Sequence, residues 1–137
     1  MQCKYQILSI FLISSFVYSN CTPMKSSGEN LFQVKDAYYQ SWVAKTNEQG
    51  TNVFIELTKV KEGVSFDSIV FRGLKLPVFV EAKDGTLYLK GIIITDISKI
   101  RLDYKVTNEP DKLIYIYQGK KHNLALKKIR REKMKYY

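Results

Sequence analysis

The chain of 137 residues carries 22 Lys and Arg against 13 Asp and Glu, with one His and two Cys. This length suits a single domain, and an apolar content of 45% is too high for a disordered chain. Two cysteines exclude a disulfide scaffold and a Cys-rich zinc site, and one histidine leaves little for imidazole chemistry. We therefore expect no metal, no cofactor and no catalytic residue, and a protein that is not an enzyme.

The first twenty residues have the pattern of a secretory signal peptide. Lys4 lies near the N-terminus, and the apolar run Ile7–Val17 follows it. Because this run is shorter than the ~20 residues that a membrane-spanning helix needs, it predicts a signal peptide and not a transmembrane helix. No Gly-rich phosphate loop or other catalytic motif is found in the rest of the chain.

Residues Val17–Cys21 resemble a relaxed bacterial lipobox, in which the Cys becomes the first mature residue and carries a diacylglyceryl group. The competing interpretation is ordinary cleavage after Ser19, which releases the protein to the periplasm without an anchor and leaves Cys21 as an odd thiol. Lipidation, with palmitate as a typical acyl chain, explains that cysteine directly. Polar residues follow, so we expect residues 21–30 to be a lipidated Cys and a flexible tether.

Known bacterial lipoproteins provide two sorting cues. No Asp follows Cys21, as it does in lipoproteins retained at the inner membrane, and no acidic cluster follows it, as in those exported to the cell surface. We therefore expect a lipid anchor on the periplasmic face of the outer membrane.

The mature body has alternating apolar residues in short runs separated by turn residues, which predicts strands. Asp84-Gly85 predicts a type I′ hairpin, Pro77 predicts an edge strand or a bulge, and Leu31–Tyr38 is either a short helix or an irregular lead-in. About eight short strands and no crossover helix predict an all-β fold, an antiparallel β-sandwich with a small β-barrel as the alternative. The predicted strands are Tyr39–Lys45, Val53–Leu57, Phe66–Arg72, Leu74–Ala82, Thr86–Ile94, Ile100–Val106, Leu113–Gln118 and His122–Lys128.

The basic charge is concentrated at the C-terminus, where residues 120–137 carry eight Lys and Arg against Glu132. We expect the sandwich at residues 31–129 and a basic tail at residues 130–137, although apolar residues such as Met134 allow part of the tail to dock as a last strand. The tail either is simply solvated or binds an anionic envelope polymer or lipid headgroups; behind a signal peptide we expect no nucleic acid. The possible anion-binding residues are Lys127, Lys128, Arg130, Arg131, Lys133 and Lys135.

Aromatic residues are abundant, with ten Tyr, seven Phe and one Trp. The strand pattern places Tyr115 and Tyr117 on one face, where exposed rings could hold a glycan or a peptide, although Tyr is also simply a good strand former. The simplest interpretation of Trp42 is a core residue, and that of His122 a structural one. Asp67 shares a face with apolar neighbours and is expected at the rim of the core.

Three segments resemble a small uncharacterised lipoprotein family of Flavobacteriia and related Bacteroidota: Tyr38–Ala44, Gly50–Ile55 and Asp67–Gly73. The resemblance covers roughly residues 31–90, and Lys45–Gly50 replaces most of a Gly-rich run of the family. It implies a leader and a lipid-carrying Cys, and it brings no activity and no cofactor. Gly50 and Gly73 would be turn positions.

The possible binding surface lies in two of these segments, at Trp42, Asp67 and Arg72. We expect a lipid-anchored, non-enzymatic binding or accessory module facing the periplasm, with an unknown envelope protein or anionic envelope polymer as its partner. Recognition would use a sheet face or strand addition at the edge near Pro77. The alternatives are an envelope enzyme acting on glycan or peptide on a β scaffold, and a binder of anionic polymer or lipid headgroups through the basic C-terminus.

Overall fold

The computed structural model describes residues 31–95 and 105–137. The predicted signal peptide, Cys21, the predicted tether and most of the predicted strand Ile100–Val106 lie outside these residues. Eleven strands are found in the described parts: β1 Gln33–Val43, β2 Gln49–Thr58, β3 Ser65–Phe71, β4 Leu74–Pro77, β5 Phe79–Lys83, β6 Thr86–Ile94, β7 Lys105–Val106, β8 Lys112–Tyr117, β9 Lys120–Ala125, β10 Arg130–Arg131 and β11 Lys135–Tyr136. None of the described segments is a helix long and apolar enough to cross a bilayer.

The strands form two sheets that are not closed into a barrel, so the predicted all-β sandwich architecture is confirmed. Sheet A has the order β10-β1-β2-β6-β5, with β11 also pairing with β1, and sheet B has the order β7-β4-β3-β8-β9. The pairings of β1 with β10 and β11 are parallel, and the other described pairings are antiparallel.

Two-residue turns join three of the hairpins, β3–β4, β5–β6 and β8–β9. Asp84 and Gly85 both have positive φ, 50° and 75°, which confirms the predicted type I′ hairpin between β5 and β6. In the other two turns, Arg72-Gly73 and Gln118-Gly119, both residues also have positive φ. Gly73 is therefore a turn position, as the sequence predicts.

The core lies between the two sheets. Alternate residues of β2, namely Val53, Ile55 and Leu57, are fully buried on one side of sheet A. The sheets approach closely at Gly91 of β6, where an added Cβ would lie 3.0 Å from Cδ1 of Leu76 on sheet B. The other side of sheet A therefore faces away from the core.

The predicted strand Leu74–Ala82 is in fact two strands in different sheets. β4 pairs with β3 in sheet B, whereas β5 pairs with β6 and is an end strand of sheet A. The chain changes sheets at Pro77 and Val78, because proline has no N–H to continue a ladder. β4 pairs with β3 as far as Pro77, and with the described β7 only at Leu74 and Lys75.

The helical or irregular interpretation of Leu31–Tyr38 is also wrong. β1 begins at Gln33 and pairs with β2 along its whole length, with an irregularity between Val34 and Asp36. That irregularity breaks the alternation of apolar residues, so the sequence has no clear period of two here. Tyr38 and Tyr39 nevertheless point to opposite faces, as in a regular strand.

Residues 130–137, the predicted basic tail, pair with β1 in sheet A, in agreement with the expectation that part of the tail docks as a last strand. β10 and β11 pair with β1, and the intervening backbone continues this contact: Glu132 N–H donates to Tyr39 O at 2.8 Å. Tyr137 N–H donates to Val43 O at 3.0 Å. The segment satisfies backbone groups along the edge of β1, and its many charges conceal this role in the sequence.

Candidate functional site

The side of sheet A that faces away from the core carries a group of aromatic rings, which we call the aromatic face. Its rings come from four adjacent strands, because the residues that alternate with the buried ones point outward. Phe79 on β5 is 58% exposed. The aromatic face consists of Tyr38, Trp42, Phe54, Phe79 and Tyr88.

Tyr38 and Phe54 are direct cross-strand partners and form the centre of this surface. Their rings stack with centroids 4.9 Å apart and an angle of 24° between the planes. The Arg130 guanidinium lies 5.3 Å from the centroid of Tyr38, and Lys90 Nζ lies 5.8 Å from that of Phe54. Cations on both sides of the pair therefore help to fix the rings by cation–π attraction.

Trp42 lies on this face and is half-buried, so its interpretation as a core residue is wrong. Its cross-strand partner is Gly50, where an added Cβ would be 2.7 Å from Cζ2 of the indole. The indole thus covers the glycine, and Nε1 donates to Asn52 Oδ1 at 3.2 Å. Tyr137 contacts its edge, with ring centroids 6.4 Å apart. Gly50 is therefore a strand residue that accommodates a ring, and not the turn residue that the sequence predicts.

Two shallow depressions mark the aromatic face, and Lys90 lines both of them. One of about 340 Å³ lies around the Tyr38–Phe54 pair, and it contains one other charged residue, Glu81. The other, of about 350 Å³, lies around Trp42 and has no Asp or Glu side chain in its lining. The first is lined by Tyr38, Phe54, Phe79, Val80, Glu81, Tyr88 and Lys90, and the second by Trp42, Asn52, Lys90, Ile92, Ile94 and Tyr137.

The electrostatic environment of Tyr38 is acidic. Partial burial raises the pKa of its hydroxyl above the ordinary value of 10.0, and the nearby carboxylates, Glu56 foremost, raise it further. Folding therefore favours the protonated hydroxyl. The resulting contribution to stability is fully present below about pH 10 and is lost as the pH rises through the higher pKa of the folded state.

We expect Tyr38→Phe to reduce the loss of stability in alkali, because it removes this hydroxyl and keeps the stacked ring. The fall in Tm between about pH 8 and about pH 11 should be smaller than in the wild type. Tyr136→Phe is the control, since Tyr136 is 75% exposed and should leave the fall unchanged. Equal falls in Tm for the wild type and Tyr38→Phe would contradict the raised pKa.

The residues predicted for a binding surface do not come together around Trp42. Asp67 lies in β3 of sheet B, at an irregularity in the pairing with β8. Its Oδ2 accepts from Ser68 Oγ at 2.9 Å, and its Oδ1 is 3.8 Å from Lys121 Nζ. The irregularity moves Asp67 out of the alternation that the sequence suggests.

Arg72 occupies the turn between β3 and β4, and its contacts stabilise the fold. Its Nη2 donates to the hydroxyl of Tyr39 at 2.9 Å, and its guanidinium carbon lies 4.6 Å from the centroid of that ring. Its backbone N–H donates to Asp111 Oδ1 at 2.8 Å. Because Tyr39 packs against Phe71 at 5.3 Å, Arg72 closes one end of the sandwich and does not join the aromatic face.

The predicted anion-binding residues have exposed side chains, and those from Arg130 onward lie along the outer edge of β1. Arg130 differs from the others because its charge is compensated: Nη2 is 2.8 Å from Asp36 Oδ2, and Nη1 bonds to Glu132 Oε1. The pKa of its guanidinium is raised by these hydrogen bonds, that with Glu132 contributing most. The other exposed cations are Arg131, Lys133 and Lys135 on this edge and Lys127 and Lys128 in the connection from β9 to β10.

Tyr115 and Tyr117, the predicted stacking residues, lie on the core side of sheet B. Tyr115 is fully buried and stacks on His122 with centroids 5.3 Å apart, and Tyr117 is half-buried beside the core. This placement favours a structural role for His122. Sequence reasoning missed Phe54, Phe79, Tyr88 and Lys90 as site residues, although the alternation of Phe54 with buried neighbours was a usable signal.

Comparison of the chain with protein-family models, with curated proteins and with solved structures finds no match. Within residues 31–95 and 105–137, no group of three or more His, Cys, Asp or Glu side chains is arranged to hold a metal ion. The site must therefore be interpreted from its own geometry.

Proposed function

We propose that this protein is a lipid-anchored, non-enzymatic binding module of the cell envelope. Cys21 would hold it on the periplasmic face of the outer membrane, and the aromatic face would bind its partner. The observation that carries the binding role is the ordered set of rings on the side of sheet A away from the core, where Phe79 is 58% exposed.

The position of the tether supports a surface directed away from the membrane. Leu31, the first described residue, precedes β1, and its carbonyl accepts from Lys61 N–H at 2.7 Å. Trp42 is near the far end of β1, which is about 33 Å long at ~3.3 Å per residue. An anchor at Cys21 would thus enter the domain at the end opposite to Trp42. The intervening nine residues, fully extended, would add up to roughly 30 Å.

The arrangement of carboxylates supports binding over catalysis. Neither depression is lined by two Asp or Glu side chains. The first has Glu81 alone, and the second has none. Asp36 is bound by Arg130 at 2.8 Å. An envelope hydrolase acting on glycan would need two carboxylates converging on one bond, so the enzymatic alternative has less support.

We expect metabolic labelling with a clickable fatty acid to mark the wild-type protein and not Cys21→Ala. After detergent phase partitioning, the wild type should enter the detergent phase and the variant the aqueous phase, because the acyl chains supply the membrane affinity. Cys3→Ala is the matched control, since it removes the other cysteine of the chain and should keep the label. An unlabelled wild type, or full label on Cys21→Ala, would refute the anchor.

A further inference from the structure

We propose that the aromatic face binds an extended, uncharged oligosaccharide, with the Trp42 indole as the stacking site and the depression around the Tyr38–Phe54 pair as a second contact. The inference deepens the proposed function, on which it rests for the binding role of this surface. It depends on three properties of the face: rings held in fixed orientations, polar groups between them, and a balance of charge.

The Trp42 indole is held before any ligand arrives. Gly50 lies beneath it, Asn52 accepts its N–H at 3.2 Å, and Tyr137 contacts its edge. Because a fixed ring loses little conformational entropy on binding, even a weak stacking contact can contribute to affinity. The C–H faces of a sugar ring with equatorial hydroxyls are flat and apolar, and they stack on such a ring.

The second contact follows along the same strand. Tyr38 and Trp42 are four residues apart in β1, which corresponds to about 13 Å. The rings of Tyr38 and Phe54 face each other and two cations, so this depression offers a sugar their edges and the exposed ring of Phe79. Asn52, in the row between the two sites, accepts the indole proton through its oxygen and has an NH₂ group that can donate to hydroxyls. An extended chain of sugar rings can thus stack on Trp42, hydrogen-bond to Asn52 and reach the second depression.

The charges of the face favour an uncharged ligand. Lys90 and Glu81 line the same depression, and Glu56 lies in the adjacent row of the sheet. Because Lys90 and Glu81 have opposite charges at one depression, this part of the face selects neither a polyanion nor a basic peptide. Charged groups make strong hydrogen bonds to neutral hydroxyls, so both signs can serve a neutral glycan.

Trp42 is the single tryptophan of the chain, so its fluorescence reports directly on the stacking site. We expect titration of the full-length protein in detergent with chitohexaose or cellohexaose to give a saturable change in Trp42 emission. Phe54→Ala should weaken binding roughly tenfold, as expected for loss of a central aromatic contact. Val106→Ala, on sheet B and 83% exposed, should have no effect.

Phe79→Ala tests whether weaker binding by Phe54→Ala comes from misfolding. Phe79 lines the same depression as Phe54, and it is 58% exposed on the end strand β5, so its loss should not disturb the fold. It should weaken binding without lowering Tm. Absence of a saturable change with both sugars would overturn the oligosaccharide proposal. A shift produced only by phosphatidylglycerol vesicles added to the Cys21→Ala chain would overturn it in favour of a membrane surface. Neither result affects the fatty-acid label, which tests the anchored module separately.

Discussion

Deletion of residues 130–137 is expected to lower the free energy of unfolding by about 3–4 kcal/mol, at about 1 kcal/mol for each hydrogen bond lost. The deletion removes the backbone bonds to Tyr39 and Val43 and the bond from Gln40 Nε2 to Lys133 O at 2.9 Å. It also removes the Arg130–Asp36 ion pair, which contributes little because both side chains are partly exposed. Urea unfolding followed by circular dichroism measures the change.

The same deletion should make the protein associate. Without β10 and β11, the edge of β1 would present a row of unpaired N–H and C=O groups to solvent, and such an edge pairs with other strands. Light scattering after gel filtration should detect dimers or larger species. The double variant Lys133→Gln with Lys135→Gln is the control, because it removes charge and keeps the backbone. If the truncated chain remained monomeric and as stable as the wild type, residues 130–137 would not contribute to the stability of sheet A.

Local chemistry made part of this fold predictable. Asp84-Gly85 specifies its turn because both residues tolerate positive φ, and the alternation of Val53, Ile55 and Leu57 specifies a strand with one buried side. These signals depend only on neighbours in the sequence. They were sufficient to predict an antiparallel sandwich.

The errors concern features that depend on partners distant in sequence. Pro77 predicts an edge strand or a bulge in one strand Leu74–Ala82, but only the packing of both sheets decides that the chain crosses between them there. Residues 130–137 pair with β1 in parallel, and the segment is rich in charged residues. It therefore has no hydrophobic alternation that would predict its partner strand. Burial of the strand edge, rather than burial of side chains, holds this segment.

The candidate site was only partly predictable for the same reason. Trp42 was identified as a residue of interest, but its place on the outer side of sheet A depends on the β1–β2 register, which pairs it with Gly50. The same register stacks Tyr38 on Phe54. Asp67 and Arg72 belong to one segment of the sequence, and the fold places both away from Trp42.

The second large effect is expected for Gly50→Ala, which should lower the free energy of unfolding by roughly 1–3 kcal/mol through overpacking. The added Cβ would lie 2.4 Å from Ile93 O and 2.7 Å from Cζ2 of Trp42. The indole can rotate away from the new methyl group, but the backbone carbonyl cannot move without disturbing β6. Both the strand pairing and the ring orientation should therefore change.

Trp42 emission distinguishes this effect from simple destabilisation. In Gly50→Ala the displaced indole should become more exposed, and its emission should shift to longer wavelength while oligosaccharide binding weakens. Gly91→Ala is the matched control: its Cβ would meet the Leu76 side chain at 3.0 Å on the core side of sheet A. That variant should lose stability with its emission maximum unchanged. An unshifted maximum in Gly50→Ala would mean that the glycine does not position the indole, and the preorganised stacking site would lose its structural basis.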